Sequence, residues 1–178
     1  MANEIKLGQV AGLNLSASPS ALTGSVVLWA LVGGAAAGLL NVPLGEALVG
    51  GLVAVIAHWT SDIVHHLGHA WAARQTGHPM TGVRLWGVIG ISLYPPDEPT
   101  LPAEVHIRRA LGGPLASALL TLLAAVVALA LRPVDQTPGW VGAFFFLDNL
   151  LFLTLGAFMP LGFTDGSTLL EWWGKRGQ

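Results

Sequence analysis

The sequence predicts a membrane-embedded α-helical bundle of about four transmembrane helices with short membrane-associated β-strands. Of its 178 residues, 53% are hydrophobic and only 10% are charged, a composition that excludes an ordinary soluble domain. Four apolar stretches approach the roughly 20 residues that a helix needs to cross a bilayer. These predicted spans lie at residues 21–40, 44–73, 110–131 and 140–161.

Two stretches outside the spans have the pattern of strands. Residues Ile5–Leu15 alternate between polar and apolar around glycines, which predicts a strand pair, with a disordered tail as the alternative. We therefore divide the chain into an N-terminal strand pair or tail at 1–20 and a membrane-embedded domain at 21–178. Met80–Tyr94 is too polar and glycine-rich to span, and predicts a second strand pair at or within the membrane. Such backbone is tolerated at membrane depth only beside protein or a water-filled cavity.

The charged residues define orientation and partners. A net charge of −2 gives no electrostatic basis for binding nucleic acid. With four spans, seven of the eight basic residues fall on one side, and basic residues favour the cytoplasmic side. The seven are Lys6, Arg74, Arg84, Arg108, Arg109, Lys175 and Arg176. We expect a multi-pass protein of a prokaryotic plasma membrane with both termini in the cytoplasm, and the bilayer and other membrane proteins as its partners.

Ionisable residues cluster in the second span. His65 and His69 lie four residues apart, which places both imidazoles on one helix face, as in the H-E-x-x-H zinc helix. His66, however, stands where that motif has glutamate. Ionisable groups inside a membrane helix are costly and mark a functional site by default. Because the chain has no cysteine, a metal here requires histidine and carboxylate ligands.

Asp165 is the candidate third ligand. It follows the fourth span in a segment whose prolines and glycines interrupt regular structure, where the chain returns to the cytoplasmic side. It therefore arrives at about the depth of His65 and His69, and two histidines with one carboxylate are a usual catalytic zinc set. The alternative is that Asp165 is only a turn residue or a helix N-cap.

The motifs and their order resemble the site-2 protease family of intramembrane zinc metalloproteases. The matching stretches are Ile5–Leu15, Ser18-Pro19-Ser20, His65-His66-Leu67-Gly68-His69-Ala70, Val83–Leu93, Leu111-Gly112-Gly113-Pro114-Leu115 and Pro160–Gly166. The resemblance implies the fold of that family and a Zn²⁺ ion held by His65, His69 and Asp165. It also identifies His66 as the replacement for the catalytic base.

Departures from the family pattern concern the chemistry. Ser117 and Ala157 stand where the family has asparagine, and His66 replaces the general-base glutamate. General acid–base catalysis contributes about 10²–10⁴-fold per group. We therefore expect a proteolytically impaired pseudoenzyme that serves as a binder, regulator or subunit of membrane proteins.

Two alternatives remain open. The protein is an active intramembrane zinc endopeptidase that uses His66 as its base, since an imidazole can accept a proton near neutral pH. Or it is a structural or tetrapyrrole-holding subunit of a larger membrane complex, with His58 or His66 as the ligand. For the outer nitrogen of the ligating histidines, Asp62 is the nearest charged acceptor, whereas Asp148 is expected to lie toward the far side of the membrane.

Overall fold

The computed structural model describes residues 4–134 and 136–177, in which the four predicted spans are long helices. They are α1 (Pro19–Leu39), α2 (Leu44–Gln75), α3 (Ala103–Leu131) and α4 (Gln136–Leu147), which continues as a π-helical segment (Asp148–Leu155) and a 3₁₀ turn (Gly156–Phe158). Each of the four is long and apolar enough to cross a membrane. A short helix, α5 (Asp165–Trp173), follows.

Several span boundaries differ from those predicted, and two of these differences have a clear local cause. Helix α3 begins at Ala103, seven residues before the predicted span, because its first turns carry charged side chains that lower the local hydropathy. Extended backbone at Pro102 fixes its start. The fourth span ends at Phe158 because Met159 is extended, as residues before a proline usually are.

The strands form one four-stranded mixed sheet in the order β1-β2-β3-β4. The strands are β1 (Ile5–Val10), β2 (Leu13–Ala17), β3 (Gly82–Trp86) and β4 (Ile89–Leu93), so both predicted strand pairs are present. Each pair is antiparallel, and β2 joins β3 in parallel. The N-terminal strands thus pack with the later hairpin, while the division at residue 20 stays a prediction.

Helices α2 and α3 cross where both have glycine. A Cβ atom on Gly68 would collide with the carbonyl oxygen of Gly112, and one on Gly112 with the carbonyl of Gly68. Small residues allow such close backbone approach in membrane helices. At this crossing the histidine face of α2 packs against α3. The crossing point on α3, Gly112, directly precedes Gly113.

The outer faces of the long helices remain apolar and exposed. Large side chains such as Leu31 on α1 and Leu119 on α3 are 65% and 71% exposed. In water this would be a very large hydrophobic surface, whereas a bilayer would cover it. Together with the four long apolar helices, this indicates a multi-pass membrane protein.

Candidate metal centre

His65, His69 and Asp165 meet at one point. The Nε2 atoms of the two histidines are 3.0 Å apart. The carboxylate of Asp165 lies 3.3 Å from Nε2 of His65 and 3.4 Å from Nε2 of His69. Among the described residues, this trio forms the group whose potential ligand atoms all lie within 4.8 Å of one another.

Helix α3 orients the two imidazoles. Nδ1 of His69 is 2.7 Å from the carbonyl oxygen of Arg109, which can only accept a hydrogen bond, and 3.2 Å from the amide of Gly113; the shorter contact favours a proton on Nδ1. Its Nε2 then presents a lone pair to the site. Nδ1 of His65 shares a 2.9 Å hydrogen bond with the hydroxyl of Ser117, which can accept in the same way. The hydrogen bonds of α3 therefore favour two lone pairs directed at one point.

Asp165 brings the negative charge. It is the first residue of α5, and Gly166 packs so closely on the end of the fourth span that a Cβ there would collide with the carbonyl of Phe158. Burial opposes ionisation of the Asp165 carboxyl, but the two neighbouring imidazoles, when they carry a proton on Nε2, outweigh burial and lower its pKa to about 2. The group is therefore ionised at neutral pH.

The donor set fits a tetrahedral cation. Ligand bonds of about 2.0–2.2 Å at tetrahedral angles separate neighbouring donor atoms by about 3.3–3.6 Å. The two Nε2 atoms are 3.0 Å apart, and each lies 3.3–3.4 Å from a different oxygen of the Asp165 carboxylate, so the separations are close to these values. Three acceptor atoms facing one another also repel unless a cation or protons lie between them. The residues present thus suit a divalent metal with one position left open.

Gly113 keeps the space beside the two Nε2 atoms free. A Cβ on Gly113 would lie 2.5 Å from Nε2 of His65 and still closer to Nε2 of His69. Only glycine therefore allows α3 to approach the pair at this distance. The role of Gly113 was not predicted from the sequence, although Gly112-Gly113-Pro114 was an available signal.

Gly113→Ala should weaken metal binding without removing any donor. The added methyl group would push the two imidazoles apart, and we expect a loss of about 10–100-fold in metal affinity, as changes around metal ligands produce. Competition with a chelator measures this affinity. Gly34→Ala is the matched control, since a Cβ there meets nothing within 4 Å. Equal affinities for the two variants would contradict the proposed position of the ion.

His66 lies beside the trio but faces elsewhere. Its ring centroid is 5.4 Å from that of His65 and 5.5 Å from that of His69. Its Nδ1 shares a 2.9 Å hydrogen bond with the hydroxyl of Ser92, and its Nε2 is 3.8 Å from a carboxylate oxygen of Asp62. Both ring nitrogens are thus directed at the β4 side of α2.

A polar seam joins α2 to the β3–β4 hairpin. Nε2 of His58 lies 2.9 Å from the carbonyl of Val88, and His66 contacts Ser92 as described. Between them, the amide of Gly90 donates to Asp62 over 3.0 Å. Every fourth residue of α2 thus contacts every second residue of the hairpin. The two spacings agree because four helical residues rise about 6 Å, close to the advance of two strand residues.

The predicted role of Asp62 was wrong. The outer nitrogens of His65 and His69 contact Ser117 and the Arg109 carbonyl, both on α3. Asp62 instead faces Gly90, where a Cβ would collide with it and with His66. The position of the hairpin decides which side of α2 receives this carboxylate, and helical periodicity does not reveal it. Asp148 contacts Nδ1 of His58 at 3.1 Å, and its predicted place toward the far side of the membrane stays a prediction.

The side chain of Arg109, near the start of α3, binds the loop that follows α2 and the loop that precedes α3. Its guanidinium donates to both carboxylate oxygens of Glu98, at 2.9 and 2.5 Å, and to the carbonyl of His78 at 2.6 Å. The same group lies 4.1 Å from the ring centre of Tyr94, whose pKa burial raises to about 12. Since the backbone carbonyl of Arg109 also orients His69, this ion pair supports the metal centre. Its partners were not foreseen from the sequence.

Glu98→Gln should lower stability in a pH-dependent way. Hydrogen bonds from Arg109 lower the pKa of Glu98 below its ordinary value of 4.5. The stabilisation is therefore complete above that value and disappears as pH falls through the lower folded-state value. We expect a loss of about 2 kcal/mol at pH 7, and convergence of the variant and wild-type unfolding temperatures at a pH well below 4.5.

The exposed pair of Glu171 and Lys175 provides the control. Its atoms are 3.4 Å apart with both side chains about half exposed, so Glu171→Gln should cost almost nothing at either pH. Thermal unfolding in detergent at both pH values is the measurement. A Glu98→Gln deficit that persists unchanged at low pH would contradict the assigned ion pair.

The comparisons with known proteins bear on the fold. No protein-family model matches the chain, and no curated protein matches it. The solved structure of "Site-2 Protease from Methanocaldococcus jannaschii" matches with a TM-score of 0.64 and 18% sequence identity, covering 94% of this chain and 70% of that one. At this identity the likeness is one of fold. The predicted architecture is confirmed to that extent: the chain has a site-2-protease-like fold with four long apolar helices and a small mixed sheet.

Proposed function

We propose that the protein is a site-2-protease-like membrane protein that holds Zn²⁺ but is impaired in proteolysis, and that it acts as a binder, regulator or subunit of other membrane proteins. The shared fold and the convergence of His65, His69 and Asp165 support the metal-holding part. The surroundings of His66 support the loss of proteolysis.

Zinc suits this donor set best. It accepts imidazole nitrogen and carboxylate oxygen in tetrahedral geometry, and three protein ligands leave one position open. When bound in such a site, zinc polarises carbonyl groups and acidifies water. The residues that would hold it are His65, His69 and Asp165, with Ser117 and the Arg109 carbonyl fixing the imidazoles.

The orientation of His66 is the observation that carries the proposal. Peptide hydrolysis needs a group that takes a proton from water and returns it to the leaving amine. His66 has its Nδ1 in a hydrogen bond with Ser92 and its Nε2 facing Asp62. Neither nitrogen belongs to the cluster of donor atoms. Without such a group, about 10²–10⁴-fold of rate is missing.

A second candidate is an active endopeptidase with His66 as base. The observation in its favour is the position of the His66 ring, almost equally distant from both proposed ligands. A change in the side-chain rotamer would turn one nitrogen toward the site. In that case, His66→Ala abolishes cleavage.

The tetrapyrrole alternative has less support. His58 has both nitrogens engaged, one with Asp148 and one with the Val88 carbonyl, so neither is free to ligate a macrocycle. Nδ1 of His66 is likewise engaged with Ser92. A visible absorption spectrum of the purified protein tests this alternative directly.

We further propose a cytoplasmic location for both termini, in a prokaryotic plasma membrane. The seven-to-one distribution of basic residues supports this orientation. The α1–α2 loop then faces outward. A cysteine introduced at Asn41 should react with a membrane-impermeant reagent added outside intact cells. Labelling that occurs only after lysis would contradict the proposed orientation.

Two measurements on one membrane preparation test the proposed function. Purified wild type should contain about one equivalent of zinc, while His65→Ala contains none. In parallel, wild type should cleave a set of transmembrane test substrates no faster than His65→Ala. Cleavage lost in both His65→Ala and His66→Ala would instead establish the active endopeptidase.

A further inference from the structure

Helix α5 lies at the end of the bundle where one span begins and another ends. The rings of His106 on α3 and Trp172 on α5 stack with centroids 4.1 Å apart, and the amide of Gly177 donates to Glu104 over 2.8 Å. Both α3 contacts belong to its first turn. Because the fourth span ends at Phe158, only a few residues before α5, this helix stands close to the plane where the chain leaves the membrane.

One side of this region is apolar and uncovered. Phe163, Leu170 and Trp173 are exposed by 71%, 70% and 50% of their surface. Leu170 and Trp173 lie three residues apart and so share one face of α5. Phe163 lies just before the helix. The three side chains thus give α5 and the residues before it an exposed apolar surface.

Cations and tryptophans border the apolar residues. The guanidinium of Arg176 lies 4.2 Å from the ring centre of Trp173, and the ammonium of Lys175 lies 4.3 Å from that of Trp172. Arg108 is exposed on the neighbouring first turns of α3. Tryptophan beside basic residues, with an apolar face below, is the arrangement of a helix at a membrane–water interface.

We propose that α5, with Phe163, is a docking surface for the headgroup region of an anionic lipid bilayer. Phe163, Leu170 and Trp173 enter the boundary of the acyl chains, while Lys175, Arg176 and Arg108 face lipid phosphates. Basic residues near an anionic surface are attracted to it. Since Asp165 is the first residue of α5, the helix that contacts lipid also carries the third donor of the metal centre.

The absence of cysteine from the sequence allows a clean test by single labels. Leu170→Cys and the matched control Glu171→Cys each receive a polarity-sensitive fluorophore, and the intact protein is placed in lipid nanodiscs. The label at 170 should emit at shorter wavelength and be quenched by spin-labelled lipid, whereas the label at 171 is quenched by aqueous iodide. Stronger iodide quenching at 170 than at 171 overturns the proposal. Shielding of 170 from both quenchers also overturns it, because a protein would then cover this face.

The headgroup preference is tested with the same label at 170. Spin-labelled phosphatidylglycerol should quench it at least about twofold more strongly than spin-labelled phosphatidylcholine, because basic residues concentrate anionic lipid around them. Lys175→Gln together with Arg176→Gln should reduce this difference, since only Arg108 remains, while Leu170 stays in contact with lipid. Equal quenching by both lipids in the protein with its cations intact overturns the anionic-lipid proposal. Neither readout depends on metal binding, so the result stands apart from the proposed function.

Discussion

Asp165→Ala is expected to reduce zinc affinity by more than about 100-fold, the upper limit for changes that spare the ligands themselves. The substitution removes the charged member of the donor trio and leaves two imidazoles on one helix face. The remaining pair, 3.0 Å apart, would hold the ion only through neutral donors. Competition with a chromogenic chelator and metal analysis of the purified protein measure the loss.

Asp97→Ala is the matched control, because Asp97 is an exposed carboxylate in the loop before α3. Its zinc content should equal that of wild type. Thermal unfolding of zinc-free protein should also be similar for wild type and both variants, so that any loss of metal reflects a lost ligand. Wild-type zinc affinity in Asp165→Ala would remove Asp165 from the site.

The convergence of His65, His69 and Asp165 was foreseeable because the position of each follows from local sequence rules. The i, i+4 spacing of His65 and His69 requires that they share a helix face. Asp165 follows a span that must return to the side where α3 begins, and this brings it to the same depth. The direction from which Asp165 approaches the two histidines could not be predicted from the sequence. It depends on where α5 starts, and the packing of Gly166 on the end of the fourth span decides this.

The supporting residues were less accessible because they depend on contacts between distant segments. Ser117 reaches His65 only through the glycine crossing of α2 and α3, and Glu98 reaches Arg109 from a proline-rich loop. Asp62 shows the limit most clearly. Periodicity placed it on the histidine face, but the β3–β4 hairpin occupies that side of α2 and takes the carboxylate as an acceptor for Gly90.

The same contact affects any attempt to restore a catalytic base at position 66. A glutamate introduced by His66→Glu would meet Asp62, whose carboxylate lies 3.8 Å from Nε2 of the native His66. Two buried carboxylates at such a distance repel each other, and one of them would hold a proton or turn away. The single substitution should therefore restore little cleavage, even if the metal site is complete.

Asp62→Asn should relieve this conflict. Its side-chain oxygen can still accept the hydrogen bond from Gly90, while the negative charge is gone. We expect His66→Glu with Asp62→Asn to cleave at least about tenfold faster than His66→Glu alone, and about 10²–10⁴-fold faster than wild type, the range attributed to a general base. Initial rates on one transmembrane substrate, with zinc content measured for each preparation, provide the comparison.

Two further variants separate a restored base from an indirect effect. Adding His65→Ala to the double variant should abolish cleavage, because the restored base acts only beside an intact metal site. Asp62→Asn alone should remain at the wild-type rate, since it supplies no base. If the double variant binds zinc, retains its fold and still cleaves nothing, the altered base is not what limits this protein, and the proposed reason for its impaired proteolysis is wrong.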